Sequence, residues 1–233
     1  MADSITGSKS YQPEIQGVSI VALGSFNPAI FQPLWFSGNN LIRQEEANEA
    51  KVEIIHKDVA LFSTEWFSLQ VIGDRYAVET KDPTKYQLLR DLALGTFKIL
   101  EHTPIRAFGF NSNQHFSMPS EEKWHAFGDY YAPKGPWQDI VTNPGMRSLV
   151  IEGKRDNCEA NQIQMRIGPS RKVHPGVFID VNQHYEVASD ENSNPTDRIV
   201  FFLETLRSSW DDFLSYGNYV AQYLLAEHNN QRR

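Results

Sequence analysis

Val21-Ala22-Leu23-Gly24-Ser25-Phe26-Asn27 is echoed by Arg106-Ala107-Phe108-Gly109-Phe110-Asn111, and the echo sets how the whole chain is read. Each stretch brings apolar residues to a glycine-bearing step, as the end of a strand does. The first runs into an aromatic segment at 31–36, the second into another at 116–124. Both then pass through strand-like segments to a Pro-Thr pair, Pro83-Thr84 and Pro195-Thr196, which opens an amphipathic helix. The two helices align with one inserted residue. Leu89, Ala93, Phe97 and Leu100 match Phe202, Leu206, Trp210 and Phe213, one buried stripe at helical spacing in each. Phe67, Leu69 and Val71 match Val177, Ile179 and Val181 in the same scheme. The expectation is an α+β fold. It comprises a largely antiparallel sheet built from two similar β-α-β-β-α halves, roughly 14–102 and 103–228, with helices packed on one face. Residues 1–13 read as a flexible tail, leaving 14–233 as a single composite domain.

Around these two stretches, residues 15–26 read as a strand stopped by Asn27-Pro28, and 39–50 as a polar loop or exposed turn. Segments 52–63 and 66–80 are strand-like, with Gly73-Asp74 marking a hairpin or bulge. Asp82 caps a helix over 83–100. A strand near 105–111 and a short helix near 120–127 come next. The Gly- and Pro-bearing stretch 128–145 reads as a long ordered loop pinned by Tyr130, Tyr131 and Trp137. Strands are expected at 146–153, 161–168 and 176–187. A polar loop at 189–194 then leads to a final helix reaching about 227, with a break near Gly217.

A chain of 233 residues with formal net charge −7 is repelled as a whole by nucleic acid and anionic membrane. Its single cysteine, Cys158, excludes an internal disulfide and a thiolate-pair metal site, which favours a reducing cytoplasm. Residues 1–13 lack the regions of a secretory signal, and no apolar run has the length of a membrane span. The expectation is a cytoplasmic protein with no membrane association. No phosphate-binding loop, dinucleotide turn, nucleophile elbow or zinc-protease helix is present, and no cofactor is implied. The strand and turn at 20–28 resemble the opening of adenylyl-transfer nucleotidyltransferases. Residues 29–35 hold no histidine, however, and no basic residue lies between the turn and Arg43, so phosphate chemistry has nothing to act through.

Two local echoes carry chemistry. Asn113-Gln114-His115-Phe116 and Asn182-Gln183-His184-Tyr185 each put an amide and an imidazole on one strand face. His115, His184, Asn113 and Asn182 are therefore the catalytic candidates, as metal ligands or an acid–base pair. Ordinary edge histidines beside turn-satisfying asparagines explain the same residues more simply, and no metal set is specified. Glu121, His125 and Asp129 recur at helical spacing, where a solvated face outweighs a proton relay. Residues 147–172 carry six basic side chains against three acidic ones. Arg147, Arg155, Arg166 and Arg171 are thus candidates for a phosphate, RNA or acidic-partner surface, weighed against outward charge that guards a sheet edge.

The block 52–100, through "HKDVALFSTEWFSLQVIGDRYAVET" and "YQLLRDLALGTFKIL", resembles a sporadically distributed family of uncharacterised bacterial proteins of similar length. In that family the half ends in a strand, a "drf"-like turn and a helix, and Asp74-Arg75-Tyr76 matches the turn. The stretch "IRAFGFNSNQHF" resembles their second-half strand. The resemblance implies a fold and a bacterial origin and assigns no catalytic residue. The leading functional expectation is a non-catalytic cytosolic binding subunit that docks on a protein partner through Tyr130, Tyr131 and Trp137. The alternatives are a hydrolase or transferase at His115 and His184, with or without a metal, and a nucleotide or nucleic-acid binder using the 147–172 strands.

Overall fold

The computed structural model describes residues 11–156, 158–187 and 195–230. The expected tail at 1–13 lies mostly outside the described residues, as does the expected loop at 189–194. Tyr11 is tied down: its N–H donates to Gln222 Oε1 (2.9 Å), and Gln222 Nε2 donates to the Tyr11 carbonyl (2.7 Å).

One antiparallel sheet of nine strands runs through the molecule. The strands are β1 (Ile15–Gly24), β2 (Lys51–Ile55), β3 (Val59–Ser63), β4 (Ser68–Ile72), β5 (Arg75–Thr80), β6 (Ile105–Ser117), β7 (Leu149–Gly153), β8 (Gln162–Pro169) and β9 (Gly176–Glu186). Their order is β2-β3-β4-β5-β1-β6-β9-β8-β7. Each half therefore contributes its first strand to the centre and its last strand beside it. Among the described residues five α-helices complete the fold: α1 (Pro33–Gly38), α2 (Gln44–Asn48), α3 (Tyr86–Ile99), α4 (Glu121–Tyr131) and α5 (Pro195–Asn230).

Local chemistry explains the element ends. Asp82 Oδ1 accepts from the Thr84 amide, and the turn Pro83–Lys85 leads into α3. Ser120 Oγ accepts from the Lys123 amide at the start of α4. Ile72 pairs with Arg75, so Gly73-Asp74 closes a two-residue hairpin. Gly217 does not break α5, which is continuous. A Cβ at Gly217 would stand 3.0 Å from Ser112, so the glycine is there for the close approach of α5 to β6.

Both helical stripes are buried on one sheet face, with Phe97 and Phe202 in edge contact at 5.1 Å. Phe110 meets Trp210 at 5.5 Å, and Phe62 meets Phe36 at 5.7 Å, so α1 shares that face. A smaller cluster of Phe116, Phe127, Val177, Ile179 and Leu225 places α4 there too.

Three details of the expected halves are corrected. Gly24 ends β1 beside Ile105, whereas Gly109 lies in the middle of β6, so the sequence echo does not join equivalent positions. Likewise Leu69 and Val71 lie on β4, but Val177, Ile179 and Val181 lie on β9, whose counterpart is β5. The first half also carries four strands after its short helices where the second carries three. Apolar alternation is the same on every strand with one covered face, so sequence matching slides between strands freely.

Candidate functional site

On the seven strands between the edges β2 and β7, the covered face takes the apolar residues, and alternation sends their neighbours to the open face. On β6, Phe108, Phe110 and Phe116 are buried under the helices, while Asn111, Asn113 and His115 point the other way. On β9, Val177, Ile179, Val181 and Tyr185 go in, and Phe178, Asp180, Asn182 and His184 come out. Antiparallel register lays these side chains in rows across the sheet. His115 lies beside Phe178 and Gly168, and Asn113 beside Asp180 and Arg166. Asn111 lies beside Asn182 and Gln164, and Gly109 beside His184 and Gln162.

His115 is buried, and its Nδ1 is 2.8 Å from Ser170 Oγ. That hydroxyl already accepts from the amides of Lys172 (3.1 Å) and Val173 (2.9 Å). With its lone pairs engaged, Ser170 is left to donate its proton to Nδ1, so the imidazole is neutral and carries its own proton on Nε2. Burial first, and then the Lys172 charge, hold the His115 pKa below its ordinary value. The ring packs against Phe178 at 4.8 Å, and the Arg166 guanidinium stands 5.2 Å over the same phenyl group. Arg166 Nη2 also reaches Asp180 Oδ2 at 3.3 Å. Burial pushes the Asp180 carboxyl up, and Arg166 pulls against that shift.

These groups wall a recess of about 520 Å³ at the end of β8 and β9, bounded by His115, Arg147, Arg166, Arg171, Lys172 and Asp180. Four cations face one carboxylate. A second recess of about 360 Å³ continues from it along the face and shares Asn113, Arg166 and Asp180. Its floor is an amide ladder across three strands. Asn182 Nδ2 donates to Asn111 Oδ1 (2.7 Å), and Asn111 Nδ2 donates to Ser19 Oγ (3.1 Å).

The structure brings Arg147, Arg166 and Arg171 together and leaves Arg155 out. Arg155 lies on the helix side, where it grips Asp212 of α5 with both terminal nitrogens and sits 4.2 Å over the Tyr216 ring. Asn113 and Asn182 are diagonal neighbours on the open face. His115 and His184 share that face but are six residues apart in register, about 20 Å at strand rise. Both lie near the carboxyl ends of their strands, and those strands are antiparallel. No shared metal or bridging water spans that gap, and a composite His115/His184 centre is not formed. Among the described residues no group of three His, Cys, Asp or Glu is placed to hold a metal. The Glu121–His125–Asp129 relay does not form either, because Glu121 faces His174 at 3.4 Å and Asp129 binds Lys134 at 3.0 Å.

The aromatic anchors also divide. Tyr130 and Tyr131 end α4 and do not belong to the loop. The Tyr131 hydroxyl donates to the Leu224 carbonyl of α5 at 2.7 Å, a structural contact. Trp137 is 53% exposed. Sequence reasoning counted Lys172 among the six basic residues of 147–172 and missed Phe178, Asp180 and Ser170. The run Phe178-Asp180-Asn182, alternating with Val177, Ile179 and Val181, was a legible sign of an open face; the strand register that joins it to Arg166 was not.

No family model matches this chain, and no curated protein matches it. No described helix is long and apolar enough to cross a membrane.

Proposed function

We propose that this chain is a binding protein for an anionic ligand, held on the open face of its sheet where Arg147, Arg166, Arg171 and Lys172 meet. The supporting observation is the concentration of four cations around one carboxylate in a concave site, on a chain whose net charge is −7. Among the described residues no carboxylate lies within salt-bridge distance of Arg147, Arg171 or Lys172. Such an arrangement repels itself until an anion enters, and a guanidinium pair suits the oxygens of a phosphate group. Isothermal titration with inorganic phosphate and pyrophosphate tests the reading. Binding that weakens with added salt and weakens about tenfold or more in Arg171→Glu supports it; no binding of either anion overturns it.

A second reading, docking on another protein, rests on the segment after α4, where Trp137, Ile140 and Val141 are 53%, 71% and 51% exposed. Exposed apolar residues in one loop are an interface signature. Cross-linking in a bacterial lysate should capture a partner that Trp137→Ala no longer captures; equal capture by the variant overturns this reading.

A further inference from the structure

We infer that the two recesses on the open face form one trough for a phosphorylated, hydroxyl-rich small molecule: a sugar phosphate, free or as the ribose phosphate of a nucleotide. This rests on the anion-binding reading and specifies what lies beyond the anion. The recesses share Asn113, Arg166 and Asp180, so a ligand held in the first extends directly into the second.

The chemistry changes along the trough. At one end stand Arg147, Arg171 and Lys172, which match phosphate oxygens. Two residues further along the strands, about 7 Å at strand rise, begin the carboxamides of Asn113, Asn111 and Asn182. That is the offset between the phosphate and the ring hydroxyls of a pentose 5-phosphate. Asn182 and Asn111 spend one donor and one acceptor on each other. The Asn113 amide has no hydrogen-bond partner among the described residues and is half-buried between Gly17 and Asp180. A half-buried carboxamide that offers both a donor and an acceptor, beside the acceptor-only Asp180, suits vicinal hydroxyls, which donate and accept in turn.

Polynucleotide is the wrong occupant. Base stacking needs aromatic platforms, and Phe178, the aromatic ring of the cationic recess, already packs against the His115 ring and the Arg166 guanidinium. The net charge of −7 also opposes a polyanion.

The test titrates the full chain with ribose 5-phosphate, AMP, inorganic phosphate, ribose and a single-stranded RNA oligonucleotide, and follows amide shifts of Asn113 and Asn182 by NMR. Ribose 5-phosphate should bind about tenfold or more tighter than inorganic phosphate, since each added hydrogen bond supplies up to about a factor of ten. Asn113→Ala should bring ribose 5-phosphate down to the level of inorganic phosphate measured on the same variant. Asn182→Ala serves as a second variant should the first fail to fold. AMP tighter than ribose 5-phosphate identifies a nucleotide source, and equal affinities identify a free sugar phosphate. Ribose 5-phosphate within about threefold of phosphate, or a preference for the oligonucleotide, overturns the inference while the anion-binding reading stands. No binding of phosphate, ribose 5-phosphate or AMP overturns both.

Discussion

The two halves bury the same kind of face and expose different ones. Under the helices, Phe62, Leu69, Val71, Tyr76 and Val78 of the first half are matched in character by Phe110, Ile163, Ile179, Val181 and Tyr185 of the second. On the open face the resemblance ends. The first half shows Val59, Leu61, Gln70, Ala77 and Glu79, which pair across strands without forming a recess among themselves. The second half shows the histidine, asparagine, aspartate and arginine rows of the trough, to which the first half adds only Ser19, Val21, Leu23 and Arg75 along its far side. Packing against α3 and α5 constrains one face of both halves to apolar residues. The face that nothing covers is free to differ, and there the second half has gathered its charge.

The contrast fails outright if the covered faces are not one core. Phe97→Ala and Trp210→Ala each remove a fully buried ring, and each should cost about 3–5 kcal/mol in urea denaturation. A single cooperative transition should persist in both variants. Separate transitions for the two halves would mean that the sheet holds two cores. Trp210→Phe should cost less than Trp210→Ala, because a phenyl ring fills most of the space the indole leaves and Trp210 Nε1 has no hydrogen-bond partner whose loss would offset that.

A lesser effect distinguishes the open face from the helix side. Arg171→Glu on the open face should weaken phosphate binding by about tenfold to a hundredfold, the range of one charge-assisted contact, with little change in stability. Arg155→Ala on the helix side should do the reverse. It should leave phosphate affinity unchanged and lower stability by at most about 1 kcal/mol, since the Arg155–Asp212 pair is partly exposed and screened. Equal effects of the two on phosphate affinity would place the site elsewhere.

Smaller again is a pH effect at His115. Its folded pKa lies below the unfolded value of about 6.5, so the unfolded chain takes the proton first as pH falls. The stability owed to neutral His115 is whole above that unfolded value. It drains away as pH drops toward the lower folded value. Urea midpoints at pH 7.5 and pH 5.5 should therefore differ more in the natural protein than in His115→Gln; equal differences would mean His115 is not held neutral. Ser170→Ala removes the proton donated to Nδ1 and should raise the His115 pKa, read by NMR titration. The least effect is expected at Cys158, half-buried against the core edge, where Cys158→Ser should change stability by less than about 1 kcal/mol and leave ligand affinity unchanged.

The elements and the covered face were legible in the chain alone. The stripes of α3 and α5, the Asp82 and Ser120 caps and the Gly73-Asp74 hairpin are set by spacing and local hydrogen bonding, which involve residues a few positions apart. The alternation along β6 and β9 likewise told which residues share a side. Which strands are neighbours, and in what register, emerged with the folded molecule. Those choices separate His115 from His184 because antiparallel strands send their carboxyl ends in opposite directions. They bring Arg147, Arg166, Arg171 and Lys172 around Asp180 from two strands and two loops, and they turn Arg155 toward α5 although it is only eleven positions from Arg166. Pairing energy between strands is much the same for every apolar alternation. The match that wins is set by the summed packing of the whole covered face, a quantity that no single stretch of the chain contains.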